Sequence, residues 1–145
     1  MRRGGIERAS RLIEEYGFQI LSAKVFDERM ASTMARSSRG GNWGRGPWPI
    51  SGGPPVAAIV TYDPSPITPS RRDKKRFPFI ANARLLCKEK LRDAFNEGFA
   101  TDQHCNVIHS SDNGREAMDY LRVIIPEGAS DIVVRAPSQL AARAA

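Results

Sequence analysis

The segment that most constrains the fold is the apolar run at residues 56–62, Val-Ala-Ala-Ile-Val-Thr-Tyr. It follows the turn-forming pair Gly53 and Pro54 and shows no alternation between apolar and polar positions. A run of this kind is typical of a strand buried on both faces, since an exposed face would carry polar residues. The run therefore predicts a central strand that other elements of the chain must cover.

Before this run, the pattern predicts a helix followed by a strand, a common α/β unit. Apolar residues recur at intervals of three and four, which is the period of one helix face. Gly17 then stands where a helix C-cap belongs. Residues 18–26 predict a strand, and residues 27–35 could hold a short helix. The helical positions are Ile6, Ala9, Leu12, Ile13 and Tyr16.

After residue 80, the sequence predicts two helices separated by a short strand. Residues 83–95 have helical spacing, and residues 106–109 predict the strand. Asn113, with Glu116 three residues later, indicates a capping-box start for the second helix, which ends before Pro126. The first helix carries Cys87, Leu91, Ala94 and Phe95 on its apolar face and Lys88, Glu89 and Arg92 largely elsewhere, while the second buries Ala117, Leu121 and Ile124 or Ile125.

Two segments lack a regular pattern. Residues 37–53 are rich in Gly, Ser, Arg, Trp and Pro and indicate either a surface loop anchored by its tryptophans or a nucleotide-binding lip, with Trp43 or Trp48 stacked on a base. Residues 63–78 combine prolines with a basic run at 71–76, and proline excludes a regular helix through their first half. This segment is either a solvated insert or a surface that steers phosphate or contacts RNA.

The bulk composition narrows the class of protein. The formal net charge of +6 favours an anionic partner, such as a nucleotide, a nucleic acid or an acidic membrane. No apolar run approaches the roughly eighteen residues that a membrane span needs. The two cysteines do not form the disulfide framework of a small secreted domain, so a cytoplasmic location is expected. The length fits one domain.

His109 is the candidate catalytic residue. It stands at the end of the predicted 106–109 strand and just before a predicted helix N-terminus, where backbone N–H groups and the helix dipole favour anions. A neutral imidazole is a competent nucleophile near pH 7, and a phosphoryl group is the electrophile that a basic pocket would present to it. The spacing of His104, Cys105 and His109 with Cys87 matches no usual zinc site.

The residues around His109 also carry a family resemblance. Residues 106–112, Asn-Val-Ile-His-Ser-Ser-Asp, closely resemble the Asn-x-x-His-Gly-Ser-Asp signature of nucleoside diphosphate kinases, in which the histidine becomes phosphorylated. Residues 91–95, Leu-Arg-Asp-Ala-Phe, look like that family's Ile-Arg-Gly-Asp-Phe segment, whose arginine contacts phosphates. Residues 53–60 resemble its Gly-Pro-Val-Val-Ala-Met-Val strand. Similarities at residues 3–7, 16–18 and 125–127 follow the family's order.

The resemblance implies a fold and a reaction. The fold would be a ferredoxin-like sandwich of the α+β kind, with helices packed on an antiparallel sheet, over residues 1–128, with an insert at 63–78 and a tail at 129–145. The reaction would be a ping-pong transfer of the γ-phosphate from nucleoside triphosphates to diphosphates, with Mg²⁺ held mainly by the phosphates, in a symmetric homo-oligomer. His109 would be the nucleophile, Asn106 a ribose or phosphate contact, Arg92 a phosphate clamp, and Arg3 a further nucleotide contact.

The chain also departs from the family pattern. The glycine after the histidine is Ser110, and the glutamate that orients the histidine falls on Tyr120, with Asp119 or Glu116 as the nearest substitutes. An alternative register of residues 83–95 makes Lys88 or Lys90 the clamp instead of Arg92.

The family's first strand, which ends in a phosphate-binding lysine, has no counterpart in this sequence. We therefore expect an apolar strand ending in a lysine to be supplied by sequence before Met1 or by a partner chain.

These departures leave two alternatives to the kinase hypothesis. A degenerate relative would bind nucleotide without turnover, as a sensor or an assembly module. A basic RNA-binding module would use residues 71–76, although the sequence shows no aromatic pair on a strand for stacking bases. For this reason a nucleic acid is the less favoured partner.

Overall fold

The computed structural model describes residues 2–38 and 46–132, and the side chains from residue 4 onward. Their fold mixes helices with a small antiparallel sheet, in agreement with the predicted α+β class. The helices are α1 (Arg2–Glu15), α2 (Glu28–Ser37), α3 (Arg71–Arg76), α4 (Cys87–Asn96) and α5 (Gly114–Ile124), with 3-10 turns at Ala83–Leu86 and Thr101–Gln103. The strands are β1 (Gln19–Val25), β2 (Ile50–Ser51), β3 (Ala57–Tyr62) and β4 (Cys105–Asn106).

Local signals placed the first helix and strand correctly. After α1, Gly17 has a φ of 88°, a left-handed conformation that a side chain would strain, and this allows the chain to turn into β1. The carboxylate of Asp27 then accepts a hydrogen bond from the Met30 N–H at 2.7 Å and caps α2. The helix predicted at residues 27–35 is therefore confirmed.

The strand β3 forms the sheet with β1 and differs from the prediction in its surroundings. The two strands pair antiparallel from Gln19↔Tyr62 to Val25↔Ala57, with an irregularity between Ile20 and Ser22. Among the described residues β3 pairs with β1 alone, and all its residues are half-buried. The prediction of a central, fully covered strand was wrong for this part of the chain, because β3 is paired on one side and its residues are half-buried.

The predicted 106–109 strand is shorter than expected. Only Cys105–Asn106 forms β4, which pairs parallel with β2, a strand inside the segment that the sequence indicated as a loop. Gly52 permits this close approach, because a Cβ at that position would collide with the Asn106 carbonyl oxygen. His109 therefore lies beyond the strand, in the extended segment that leads to α5.

The buried core joins α2 and α5. Phe26, Met34 and Ile124 form its centre, and Tyr120 and Val123 of α5 pack against it. In the predicted 63–78 insert, α3 begins with a capping box between Ser70 and Asp73, so the basic run is helical. In the part of the chain that the structure describes, no helix is long and apolar enough to cross a bilayer.

Candidate active site around His109

The segment that carries His109 is fixed at its start by Asn96. This side chain is 3% exposed, and its Oδ1 accepts the Cys105 N–H at 2.6 Å. Its Nδ2 donates to the Cys105 carbonyl at 2.8 Å and to the Arg92 carbonyl at 2.7 Å. One buried amide thus joins the end of α4 to β4 and sets the position from which residues 107–112 extend.

The far end of the segment is fixed by the start of α5. Asn113 caps the helix, with its side chain accepting the Glu116 N–H at 3.0 Å. The Glu116 carboxylate returns to the Asp112 N–H at 2.7 Å. The predicted capping box is thus confirmed for Asn113, while the glutamate of the pair reaches one residue further back than the usual motif.

Lys88 is the cation whose position the sequence analysis predicted wrongly. The sequence predicted Lys88 outside the apolar face of the helix, but the residue is only 7% exposed, and its ammonium pairs with Asp112 Oδ1 at 2.9 Å. Its ammonium also lies 5.3 Å from the centre of the Phe77 ring. Because its aliphatic stem can pack while the charge is paired, a lysine is stable here. The sequence analysis named Lys88 only as an alternative clamp.

The surroundings of Arg92 and Lys90 differ, and this difference bears on which of the two registers of residues 83–95 is correct. Arg92 is half-buried, and its Nε donates to the Ile108 carbonyl at 2.8 Å, next to His109. Burial lowers the pKa of Arg92, with Glu89 opposing the shift. Lys90 is exposed on the same helix. The structure therefore brings Arg92 and Lys88 to the histidine segment and leaves Lys90 in solvent.

Of the other candidate side chains, two are buried and two lie outside the described part of the chain. Asn106 is 8% exposed in β4, so its predicted contact with ribose or phosphate would require movement. The Arg3 side chain and Trp43 lie outside the described part of the chain. Trp48 is 6% exposed, with the Arg92 guanidinium 5.0 Å from its ring centre. Of the two interpretations of residues 37–53, the burial of Trp48 favours an anchoring tryptophan over one that stacks on a base.

The charges around His109 favour a neutral imidazole. Desolvation by its surroundings lowers the pKa of His109 to about 4, with the Lys88 ammonium and the Arg92 guanidinium acting in the same direction. The carboxylates of Glu116 and Asp112 oppose this shift. By its solvent-accessible area, His109 is nevertheless an exposed residue. At pH 7 the ring is thus uncharged and accessible, which is the state that a nucleophile requires.

Tyr120 occupies the position at which the family has its orienting glutamate. Its hydroxyl lies 3.4 Å from His109 Nε2 and donates a hydrogen bond to Glu116 Oε1 at 2.6 Å. Asp119, the other predicted substitute, pairs with Arg122 at the surface. Of the two predicted substitutes, Glu116 is therefore the one that reaches His109, through the Tyr120 hydroxyl.

Beside His109 is a cleft of about 580 Å³. Residues of β3 and residues 107–111 line it. The other lining side chains are mainly apolar, and they include Ile6, Ala9, Ile13, Phe18, Leu91 and Leu121. His109 and Lys88 also line the cleft and are its titratable nitrogen groups among the described residues.

No protein-family model, curated protein or solved structure matches this chain. What the site can do therefore follows from its chemistry. A neutral imidazole with two cations close to its segment can attack an anionic electrophile and balance its charge. Residues 2–38 and 46–132 contain no group of three or more His, Cys, Asp or Glu side chains arranged to hold a metal ion.

Proposed function

We propose that this protein transfers the γ-phosphate of a nucleoside triphosphate to a nucleoside diphosphate through a phosphohistidine at His109. The observation that carries the proposal is the neutral His109 imidazole, accessible at a cleft and flanked by Lys88 and Arg92. A neutral imidazole can attack without an adjacent base, because one of its ring nitrogens already carries a lone pair at pH 7. The resemblance of residues 106–112 to the nucleoside diphosphate kinase signature supports the same reaction.

In this proposal the two cations bind and orient the phosphates. Lys88 would replace the strand lysine of the family, since it lines the same cleft as His109. Arg92 would present its outer nitrogens to a phosphate while its Nε remains on the Ile108 carbonyl. Mg²⁺ would arrive bound to the nucleotide and neutralise phosphate charge, because the described residues offer it no ligand cluster of their own.

The proposal includes the ferredoxin-like sandwich. Its support is the cleft that β3 and residues 107–111 line together with mainly apolar side chains. An apolar strand in this cleft would pair with the open edge of β3 and widen the sheet, as strands do when they add to an exposed edge. Such a strand is the element that the family resemblance leaves unassigned.

A label-transfer experiment tests the function. The protein is incubated with Mg²⁺ and ATP labelled on the γ-phosphate, and ATP labelled on the α-phosphate serves as the control. Retention of base-stable, acid-labile γ-label, followed by its release to added GDP, is the expected result. Absence of label, or label that GDP cannot remove, would contradict the transfer.

Binding measurements separate the three cations of α4. We expect Arg92→Ala and Lys88→Met each to weaken ADP–Mg²⁺ binding roughly 10- to 100-fold, the usual scale for a lost hydrogen bond to a charged group. Lys90→Ala is the matched control, because Lys90 is exposed on the same helix, and it should bind as the wild type does. Calorimetric titration measures the affinities, and thermal unfolding verifies that each variant is folded. A loss in Lys90→Ala alone would favour the alternative register.

A second candidate function is nucleotide binding without turnover. The observation that favours it is the Lys88–Asp112 pair, since an ammonium already matched to a carboxylate is less available to a substrate. This candidate predicts ADP binding that depends on Arg92 and is little changed in Lys88→Met, with no acid-labile label.

A nucleic-acid partner has weaker support in the basic residues of α3. Arg71, Arg72, Lys74 and Lys75 are exposed, whereas Arg76 pairs with Glu89 at 2.6 Å. If these four cations bound single-stranded RNA, the logarithm of the affinity would fall with that of salt at a slope of about −3. Under the kinase proposal we expect weak RNA binding that 0.2 M salt abolishes and ATP binding that persists. Tight RNA binding without ATP binding, measured at two salt concentrations, would favour the RNA module.

A further inference from the structure

We infer that α3 and the end of α4 form a self-complementary surface through which two copies of this chain associate. The basis is charge complementarity, because α3 presents exposed cations and the end of α4 presents exposed carboxylates at the same spacing. The inference goes beyond the proposed function and does not depend on it, since it uses neither His109 nor a nucleotide.

The basic face belongs to α3. Four cations of this helix are exposed, and within the described part of the chain none of them pairs with a carboxylate. The helix's own acid, Asp73, accepts hydrogen bonds from the Ser70 N–H at 3.0 Å and the Ser70 hydroxyl at 2.7 Å, so it does not neutralise them. The four cations are Arg71, Arg72, Lys74 and Lys75.

The acidic face belongs to α4 and to the 3-10 turn that follows it. Asp93 and Glu97 are exposed and four residues apart, and Asp102 in the turn is exposed as well. Among residues 2–38 and 46–132, none of these three carboxylates forms an ion pair. The Arg8 guanidinium of α1 instead donates to the Ala94 carbonyl at 2.8 Å. This end of α4 therefore presents negative charge that the described residues leave unmatched.

One contact inside the molecule shows how α3 meets this acidic face. Arg76, the last residue of α3, donates to both carboxylate oxygens of Glu89, at 2.6 and 3.1 Å. Glu89, Asp93 and Glu97 follow one another at four-residue intervals and form one stripe along α4. Lys90 is exposed beside the stripe and pairs with none of the three. The chain's own α3 thus occupies the first position of the stripe and leaves the other two for a second copy.

The two faces adjoin each other, which favours a twofold dimer. In such a dimer each copy gives its cations to the carboxylates of the other, so every contact forms twice. Arg71 and Lys75 are also four residues apart, which matches the spacing of the two open positions of the stripe. Exposed ion pairs contribute little individually, and apolar contact adds to them. Phe79 is 63% exposed and Phe99 is 60% exposed, each within three residues of one charged face.

Charge reversal tests this surface by analytical ultracentrifugation, without any nucleotide. We expect a wild-type dimer whose dissociation constant rises about tenfold or more between about 0.05 and about 0.5 M salt, because salt screens exposed charges. Arg71→Glu with Lys75→Glu should be monomeric, and so should Asp93→Lys with Glu97→Lys, because like charges then face each other. An equimolar mixture of these two variants should dimerise, since their reversed faces are complementary.

The matched control is Arg11→Glu with Arg29→Glu, which makes the same change of charge on exposed residues of α1 and α2 and should leave the dimer intact. Thermal unfolding verifies that each variant is folded. A wild type that is monomeric at every concentration, a reversed variant that dimerises alone, or a mixture that stays monomeric would overturn the inference. A monomeric wild type that binds polyglutamate or RNA through α3 would assign the basic face to that partner instead.

Discussion

Replacement of His109 by glutamine is expected to reduce the acid-labile phosphate acquired from ATP to background. The expected loss is on the order of 10³-fold or more, because removing a covalent nucleophile eliminates the reaction path and does not merely slow it. Glutamine is neutral, as the His109 imidazole is at pH 7, so the variant keeps the charge balance beside Lys88. ADP binding should therefore stay within a few-fold of the wild type, as measured by calorimetry.

The chain provides its own control for this experiment. His104 is half-buried, with Nε2 3.1 Å from the Phe99 carbonyl, and His104→Gln should label like the wild type. The pH profile is a further check. Because the pKa of His109 is lowered to about 4, the ring should remain neutral as pH falls from 8 to 6, where an ordinary histidine would gain a proton. Equal label in wild type and His109→Gln would refute the nucleophile assignment.

The substitution Asn96→Ala is expected to have the largest effect on stability. The Asn96 side chain makes hydrogen bonds to Cys105 N–H, Cys105 C=O and Arg92 C=O, and it is 3% exposed. Removing it deprives the Cys105 N–H of its acceptor and takes one donor from each of the two carbonyl groups, which should lower the free energy of unfolding by about 2–4 kcal/mol. Thermal unfolding should show a midpoint lower by on the order of 10 °C.

A neighbouring residue separates this effect from a general weakening of α4. Glu97 follows Asn96 at the end of the helix and is exposed, so Glu97→Ala should change stability by less than about 0.5 kcal/mol. Because Asn96 anchors the segment that leads to His109, Asn96→Ala should also slow phosphohistidine formation below the unfolding temperature. A stability equal to that of Glu97→Ala would show that β4 is held by other contacts.

The elements that the sequence predicted well are those whose determinants are local. Gly17 ends α1, Asp27 begins α2 and Asn113 begins α5, because each acts on backbone groups within a few residues. The strands were less predictable. The run at residues 56–62 indicated a strand, but its neighbours depend on pairing with distant segments, and neither the open edge of β3 nor the two-residue length of β4 has a local signal.

The same distinction applies to the site. The sequence predicted His109 and Arg92 as candidates from short segments with recognisable residue order, and the structure places Arg92 on the carbonyl next to His109. It did not identify the burial of Lys88, since a lysine off the apolar stripe is ordinarily solvated, and its partner Asp112 comes from another element. At position 120, the sequence showed a tyrosine in place of the glutamate that orients the histidine in the resembled family. The hydrogen bond from Tyr120 to Glu116 was accessible in principle, because these residues have the spacing of helix neighbours.

Within residues 2–38 and 46–132, one edge of β3 is unpaired, and this edge has a consequence for how copies of the protein interact at high concentration. Backbone N–H and C=O groups along an unpaired strand edge can form hydrogen bonds with any other exposed strand. Apolar side chains beside them strengthen that pairing. The residues from Ala57 to Tyr62 are mostly apolar and carry no charge that would repel a second copy. Two molecules that meet along this edge could continue one ladder of hydrogen bonds, and the tendency rises with concentration.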